Sequence, residues 1–400
     1  MIVFGMGLTL SPEEQKSIEN ATEQGVRVYA MGTTNDSTEI GSLKNEERKA
    51  VSDYLGNGGK ENLKRLLNYT RRVLDGKTFF SHPVEEAITI PNDTIFHTKT
   101  DTLYENVQQY QNWYQAAGLA KPGMPKVALV TSVMGAGSLS RGYVCQLIDG
   151  LESRGINVYA ISGFMKRLDF LKTIEPDLMI YLPHGRIAPG NSNEILAWLK
   201  ARNTPVLAPI DVFMPYEDWI NTQKGLLGGM LSQSIAMPEL DGGIEPYAFA
   251  AQFKDDNGLY LSQAVPERLE MILDRVERWL ALRKKENKEK RIAIIYYKEP
   301  GQNAMTAGGM EVAPSLLNML VALKNAGYDT GPLPETVEAF MADIQLRGPL
   351  LGPYAEGAMD DFLKSGQPEL VSAKDYMDWV KDALHPDIWK DVERIYGPPP

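Results

Sequence analysis

Between Lys126 and Ile210 one phrase repeats: a short apolar run, a loop, an amphipathic stretch of helical length, and another apolar run. The runs are KVALVTS (126–132), NVYAIS (157–162), DLMIYLP (177–183) and PVLAPI (205–210). The spacing predicts helices over 141–154, 164–174 and 192–202 between them. Strands that alternate with helices of about 10–15 residues make a parallel sheet with right-handed crossovers.

The fold class that follows is α/β: doubly wound parallel sheets, Rossmann-like or flavodoxin-like units, in a multi-domain chain. A length of 400 residues exceeds what one hydrophobic core serves. Three regions are expected: an N-terminal α/β region over 1–118, the doubly wound domain over 119–285, and a third, incomplete α/β to helical region over 286–400. The first opens β-α-β, its helix started by Ser11, Pro12 and Glu14, and continues with helices over 46–55 and 61–74. The second ends in a long helix from Pro266 that carries Leu269, Ile272, Leu273, Val276, Trp279 and Leu280 and runs into the solvated RKKENKEKR (283–291). The third starts with a strand, RIAIIYY (291–297), then a helix over 314–326 closed by Gly327. The short opening strand and the end at YGPPP suit a piece of a longer chain.

With 41 basic against 52 acidic residues, the net charge of -11 argues against a nucleic-acid or anionic-membrane partner. A single cysteine, Cys145, excludes an internal disulfide framework and any multi-cysteine metal site. No apolar run approaches the roughly 18 residues needed to span a bilayer, and the start lacks a basic leader region, so the expected location is cytoplasmic.

DGKT (75–78) resembles the tail of a phosphate-binding loop, but Arg71 stands where that loop requires glycine. No nucleoside-triphosphate site is expected in this chain. In TSVMGAGSLSRG (131–142), Gly135, Gly137 and Gly142 follow a strand and open a helix, where backbone N–H groups can receive an anion. The third glycine is misplaced for a dinucleotide fingerprint, and no acid ends the next strand. The histidines are His82, His97, His184 and His385, with no i, i+4 pair. His184 follows a strand at the carboxyl edge of the sheet, the edge that binds ligands in this architecture; it serves there as a functional group or as a cap of the strand end. PELDGGIEP (238–246) packs three acids, two glycines and two prolines into one short stretch. If extended, it sets Glu239 and Asp241 on one face, where paired carboxylates hold a hard cation or accept protons; otherwise it is a solvated turn.

Four ordered blocks carry a resemblance. PELDGGIEPYAFAAQ after PYEDWINTQKGLLGG is similar to a signature of the large subunit of class I tetrapyrrole metal chelatases, the family of cobaltochelatase CobN and the magnesium chelatase large subunit, with Trp219, Gly225, Leu226 and Pro238 to Gly242 in order. YLGNGGKENLKRLLNYTRR, the block from RIAIIYY to GYDTGPLP, and SAKDYMDWV with WKDVERIYGPPP resemble three further family segments. The family's His-Pro is His97-Thr98 here, and its Gly-Thr-His-Gly…Glu-Trp motif is missing, which suits an N-terminal and middle fragment, inactive alone. The resemblance implies a tetrapyrrole substrate and a divalent metal (cobalt, magnesium or iron), inserted or, from haem, removed, with ATP hydrolysed on AAA+-type partner subunits. Glu239, Asp241 and His184 are the candidate catalytic residues, Glu239 and Asp241 the candidate metal ligands, and His97, Trp219, Gly135 and Gly137 the candidate tetrapyrrole contacts. The competing reading is a non-catalytic two-domain module that binds a small ligand or a partner.

Overall fold

The computed structural model describes residues 2–33, 41–131, 142–296, 306–307, 309–348, 357–380 and 383–398. They form two compact units, Met1–Arg283 and Lys284–Pro400.

The first unit opens with β1 (Ile2–Leu8) and β2 (Tyr29–Thr33), parallel to each other. Between them the helix Pro12–Glu23 starts in a capping box: the Ser11 side chain accepts the Glu14 N–H and the Glu14 carboxylate accepts the Ser11 N–H. Helices Asn45–Asn57 and Gly59–Tyr69 follow, and Val51, Tyr54, Leu66 and Tyr69 close a small core with Tyr29 and Leu43.

The central sheet comes next. Its strands are β3 (Thr94–Phe96), β4 (Lys126–Thr131), β5 (Asn157–Ser162), β6 (Leu178–Leu182) and β7 (Val206–Leu207). Beyond β8 (Ile210–Pro215), which leaves for a second sheet, β9 (Gly243–Ile244) completes it. The order is β3-β5-β4-β6-β7-β9, with every pair parallel except β3 with β5. Thr94–Phe96 and the helix Val107–Ala116 thus join this sheet, although the sequence places them in its first region. The outer side of β3 is taken by Tyr104, which exchanges two backbone hydrogen bonds with Ile95.

Period-two geometry sorts the strand side chains onto two cores. Val127, Leu129, Val158, Ala160 and Ile180 pack with the helices Gly142–Ser153 and Pro266–Lys284. Ala128, Val130, Tyr159, Ile161 and Tyr181 pack with Val107–Ala116, Arg167–Ile174 and Ser192–Arg202 on the other face. Each fully buried leucine or isoleucine there contributes about 1.5–3 kcal/mol. This is the doubly wound arrangement that the alternating pattern predicts.

The second sheet has the order β11-β10-β8, with β10 (Ala248–Lys254) and β11 (Tyr260–Ala264) joined as a hairpin. Its turn is held by Asp255, whose Oδ1 accepts the backbone N–H groups of Asn257 and Leu259.

In the second unit Val312, Leu316, Leu317 and Phe340 form a small core from the helices Val312–Asn325 and Val337–Arg347, with Ile294 packed against it. The strand expected at RIAIIYY does not form over 291–296. A strand apolar on both faces needs pairing neighbours, and among the described residues none pairs with it; Ile292 and Ile295 are exposed. No helix of the described residues is long and apolar enough to cross a membrane.

Candidate functional site

Numbered from β4, the parallel strands stand in the order 2-1-3-4-5. β5 lies on one side of β4 and β6 on the other, so the connections leaving β4 and β6 diverge to opposite faces. A crevice opens at their carboxyl ends, the switch point where α/β sheets of this order bind ligands.

Arg167 spans that crevice. It starts the helix Arg167–Ile174 and is fully buried. Its Nη2 donates to the carbonyl of Thr131, the last residue of β4, at 2.7 Å, and its Nη1 donates to the carbonyl of Ile187, in the loop after β6. The guanidinium carbon lies 4.6 Å from the ring centre of Phe164 and 5.7 Å from that of Tyr181. The Nε has no hydrogen-bond partner among the described residues. Burial lowers the pKa of the guanidinium, opposed by Tyr181 and Asp93, yet an arginine stays charged throughout the physiological range. Asp93 is itself engaged: its Oδ1 accepts the N–H groups of Met165 (2.7 Å) and Lys166 (3.0 Å).

The acidic landmark lies beside the loop after β6. Gly228–Leu231 and Met237–Leu240 are helical, joined by the π-helical turn Ser232–Ala236. In that turn the Met237 N–H bonds the Ser232 carbonyl. The next donor in register would be residue 238, but it is proline and has no N–H. The carbonyl of Gln233 is left without a partner inside the helix, and the N–H of Gly185 fills the place at 2.9 Å. Asp241 follows directly and is fully buried. Its Oδ1 accepts from Arg186 Nε (2.8 Å) and Nη2 (2.5 Å), and its Oδ2 accepts from the Ile187 N–H (2.6 Å). Gly243 then enters β9 so close to Pro238 that a Cβ there would sit 2.9 Å from the Pro238 carbonyl oxygen.

The carboxylates of this stretch have three different fates. Asp241 fastens the loop 183–187. Glu245 accepts from Arg275 Nη1 (2.8 Å) and Trp279 Nε1 (2.9 Å). Glu239 is exposed. The pairing of Glu239 with Asp241 expected of an extended segment does not form. Residues 237–240 are a helical turn, and side chains two apart on a helix do not share a face. Among the described residues no group of three or more His, Cys, Asp or Glu side chains is arranged to hold a metal ion.

His184 is exposed, and its N–H meets the Tyr181 hydroxyl at 3.4 Å. It shares its loop with Arg186, so the Asp241 anchor positions it. His97 lies elsewhere, just beyond β3, and is fully buried. Its Nδ1 accepts the Lys99 N–H at 3.1 Å, which assigns the proton to Nε2, donated to Glu152 Oε1 at 2.9 Å. Tyr114 and Lys99 donate to the same carboxylate at 2.7 and 2.9 Å. Burial alone would raise the Glu152 pKa, but these donors hold it at about 2. With both ring nitrogens engaged and no exposure, His97 ties β3 to the helix Gly142–Ser153 and presents nothing to a ligand. Trp219 is half-buried beneath Arg268, whose guanidinium carbon lies 4.8 Å from its ring centre. Gly135 and Gly137 lie outside the described residues.

The sequence reading missed Arg167 and Arg186. Nothing in GFMKRLDFL separates the buried Arg167 from the exposed Lys166.

The family model described as CobN/Magnesium Chelatase matches residues 52–400. The chain is 29% identical over 274 residues to magnesium-chelatase subunit ChlH, chloroplastic, of Oryza sativa subsp. indica, covering 62% of this chain and 19% of that protein. It is 24% identical over 347 residues to aerobic cobaltochelatase subunit CobN of Pseudomonas aeruginosa, covering 81% and 27%. In fold it is similar to the catalytic subunit of cobaltochelatase from Mycobacterium tuberculosis, with a TM-score of 0.61 at 22% identity over 100% of this chain and 32% of that chain. The chain spans less than a third of the length of each of these relatives.

Proposed function

Because the chain belongs to the CobN/magnesium chelatase family, we propose that it is part of a chelatase large subunit and holds a tetrapyrrole at the carboxyl edge of its central sheet. The observation that carries this reading is the convergence at one edge. The switch-point crevice between β4 and β6 and the PELDGG segment meet on the loop 183–187, which Arg167 and Asp241 hold from either side.

Metallation requires two pyrrole N–H protons to leave as the cation arrives. His184 and Glu239 are exposed on the two segments fastened together there, and in this reading they accept those protons. Asp241 is a positioning residue, since its oxygens are occupied by Arg186 and Ile187. The metal is substrate: cobalt or magnesium for insertion, or iron withdrawn from haem in the reverse direction. In this reading ATP hydrolysis falls to AAA+-type partner subunits. The reading places the protein in the cytoplasm.

The test is an absorbance titration of the full chain with deuteroporphyrin. A saturable shift of its main absorption band at micromolar protein is expected, and an unchanged spectrum overturns the reading.

A further inference from the structure

The feature of this edge that the family reading leaves unused is the charge of Arg167. Buried cations are paired or reach water. Arg167 is 0% exposed, and among the described residues it makes no ion pair. Its partners among the described residues are the two backbone carbonyls that close the crevice, the Tyr181 side chain and the Phe164 ring, none of which carries a negative charge. Of its five N–H donors, the one on Nε has no partner. Asp93, a carboxylate whose field it feels, has its Oδ1 turned to the N–H groups of Met165 and Lys166. A full positive charge is thus stored at the switch point with a donor to spare.

We propose that Arg167 is the counter-charge for an anionic substituent of the ligand, a carboxylate, admitted by displacement of the Phe164 ring. The inference rests on the tetrapyrrole reading and adds which part of the molecule is recognised. Tetrapyrroles carry carboxylate side chains on the rim of an otherwise apolar ring. The planar guanidinium fork matches a carboxylate better than any other cation in proteins does. Phe164 lies 4.6 Å above the guanidinium and is itself 36% exposed, so the cation sits one ring's thickness below the surface. Swinging that ring aside exchanges a cation–π contact for a charge-assisted hydrogen bond, the stronger of the two. Arg167 also bonds the Ile187 carbonyl in the loop that carries His184, so a carboxylate held there lies beside that loop.

The experiment compares the full chain's affinity for deuteroporphyrin, which has free propionates, with that for its dimethyl ester. The expected result is a preference for the acid of about ten-fold, the scale of one charge-assisted bond. Arg167→Met should abolish the preference, so that acid and ester bind with equal affinity. Phe164→Ala, a change at a partly exposed ring, should speed association of the acid and not of the ester. Equal binding of acid and ester by the unaltered chain overturns this inference and leaves the tetrapyrrole reading standing; binding of neither overturns both. A preference that survives in folded Arg167→Met also overturns it. If Arg167→Met does not fold, the acid-to-ester ratio of the unaltered chain and the Phe164→Ala rates decide.

Discussion

Arg186 and Asp241 stand 55 positions apart and close on each other with both Nε and Nη2 of the arginine on one carboxylate oxygen. The two partners differ in what they can recover. Arg186 is partly exposed and regains water if the acid is removed, whereas Asp241 is sealed. Arg186→Met, which strands a buried carboxylate, should therefore cost about 3–5 kcal/mol. Asp241→Ala leaves chiefly the Ile187 N–H unpaired and should cost about 1–3 kcal/mol. Urea unfolding of both variants checks the order; the reverse order would mean that water reaches Asp241.

Acid should unfasten β3. The Glu152 carboxyl is lowered from its ordinary 4.5 to about 2 in the folded chain. A depressed carboxyl pKa stabilises the fold above the unfolded value, and that contribution is lost as pH falls through the folded one. Glu152→Gln should cost on the order of 2–3 kcal/mol at neutral pH. The difference should shrink from pH 4.5 downward and vanish near pH 2. Thermal melts of both proteins across that window measure it, and a gap that stays constant with pH would remove the carboxylate from the account.

Pro238→Ala restores the N–H that the Gln233 carbonyl lacks. The helix can then satisfy Gln233 internally and compete with the Gly185 bond. The Gly185 amide should exchange with deuterium about ten-fold faster or more, while global stability moves by under about 1 kcal/mol. Unchanged exchange at Gly185 would show that the loop is held without the Gln233 bond.

His184→Ala and Glu239→Gln should each leave the melting curve nearly unchanged, within about 0.5 kcal/mol, because both side chains are exposed. Each should slow metallation by the complete chelatase by about 10²–10⁴-fold, the usual worth of a proton acceptor. Full activity in the double variant would move the acceptors elsewhere.

The central strands were legible in the sequence because burial on both faces leaves an unbroken apolar run: Val127 and Leu129 serve one core, Ala128 and Val130 the other. RIAIIYY looks the same, yet stays unpaired over 291–296, since a run reports its apolarity and not the presence of neighbours. The second sheet went unread because AFAAQFK is thin in β-branched residues. Asn257-Gly258 between two candidate strands was nevertheless a hairpin signal. For the acidic stretch, composition left a cleft and a turn open, and the outcome combines a turn with an anchor. The choice hangs on Arg186 and on a missing N–H at Pro238, relations that no local window contains. Arg167 was invisible for the same reason: its partners, Thr131 and Ile187, lie 36 and 20 positions away.

The rims of the central sheet are short. β9 has two residues and β3 three, and the outer hydrogen bonds of β3 are already spent on Tyr104. An unpaired strand edge is the usual template on which another chain adds itself. Among the described residues this sheet offers almost none, so a protein that docks on it reads side chains and loops, and its recognition is set by their chemistry and not by backbone pairing.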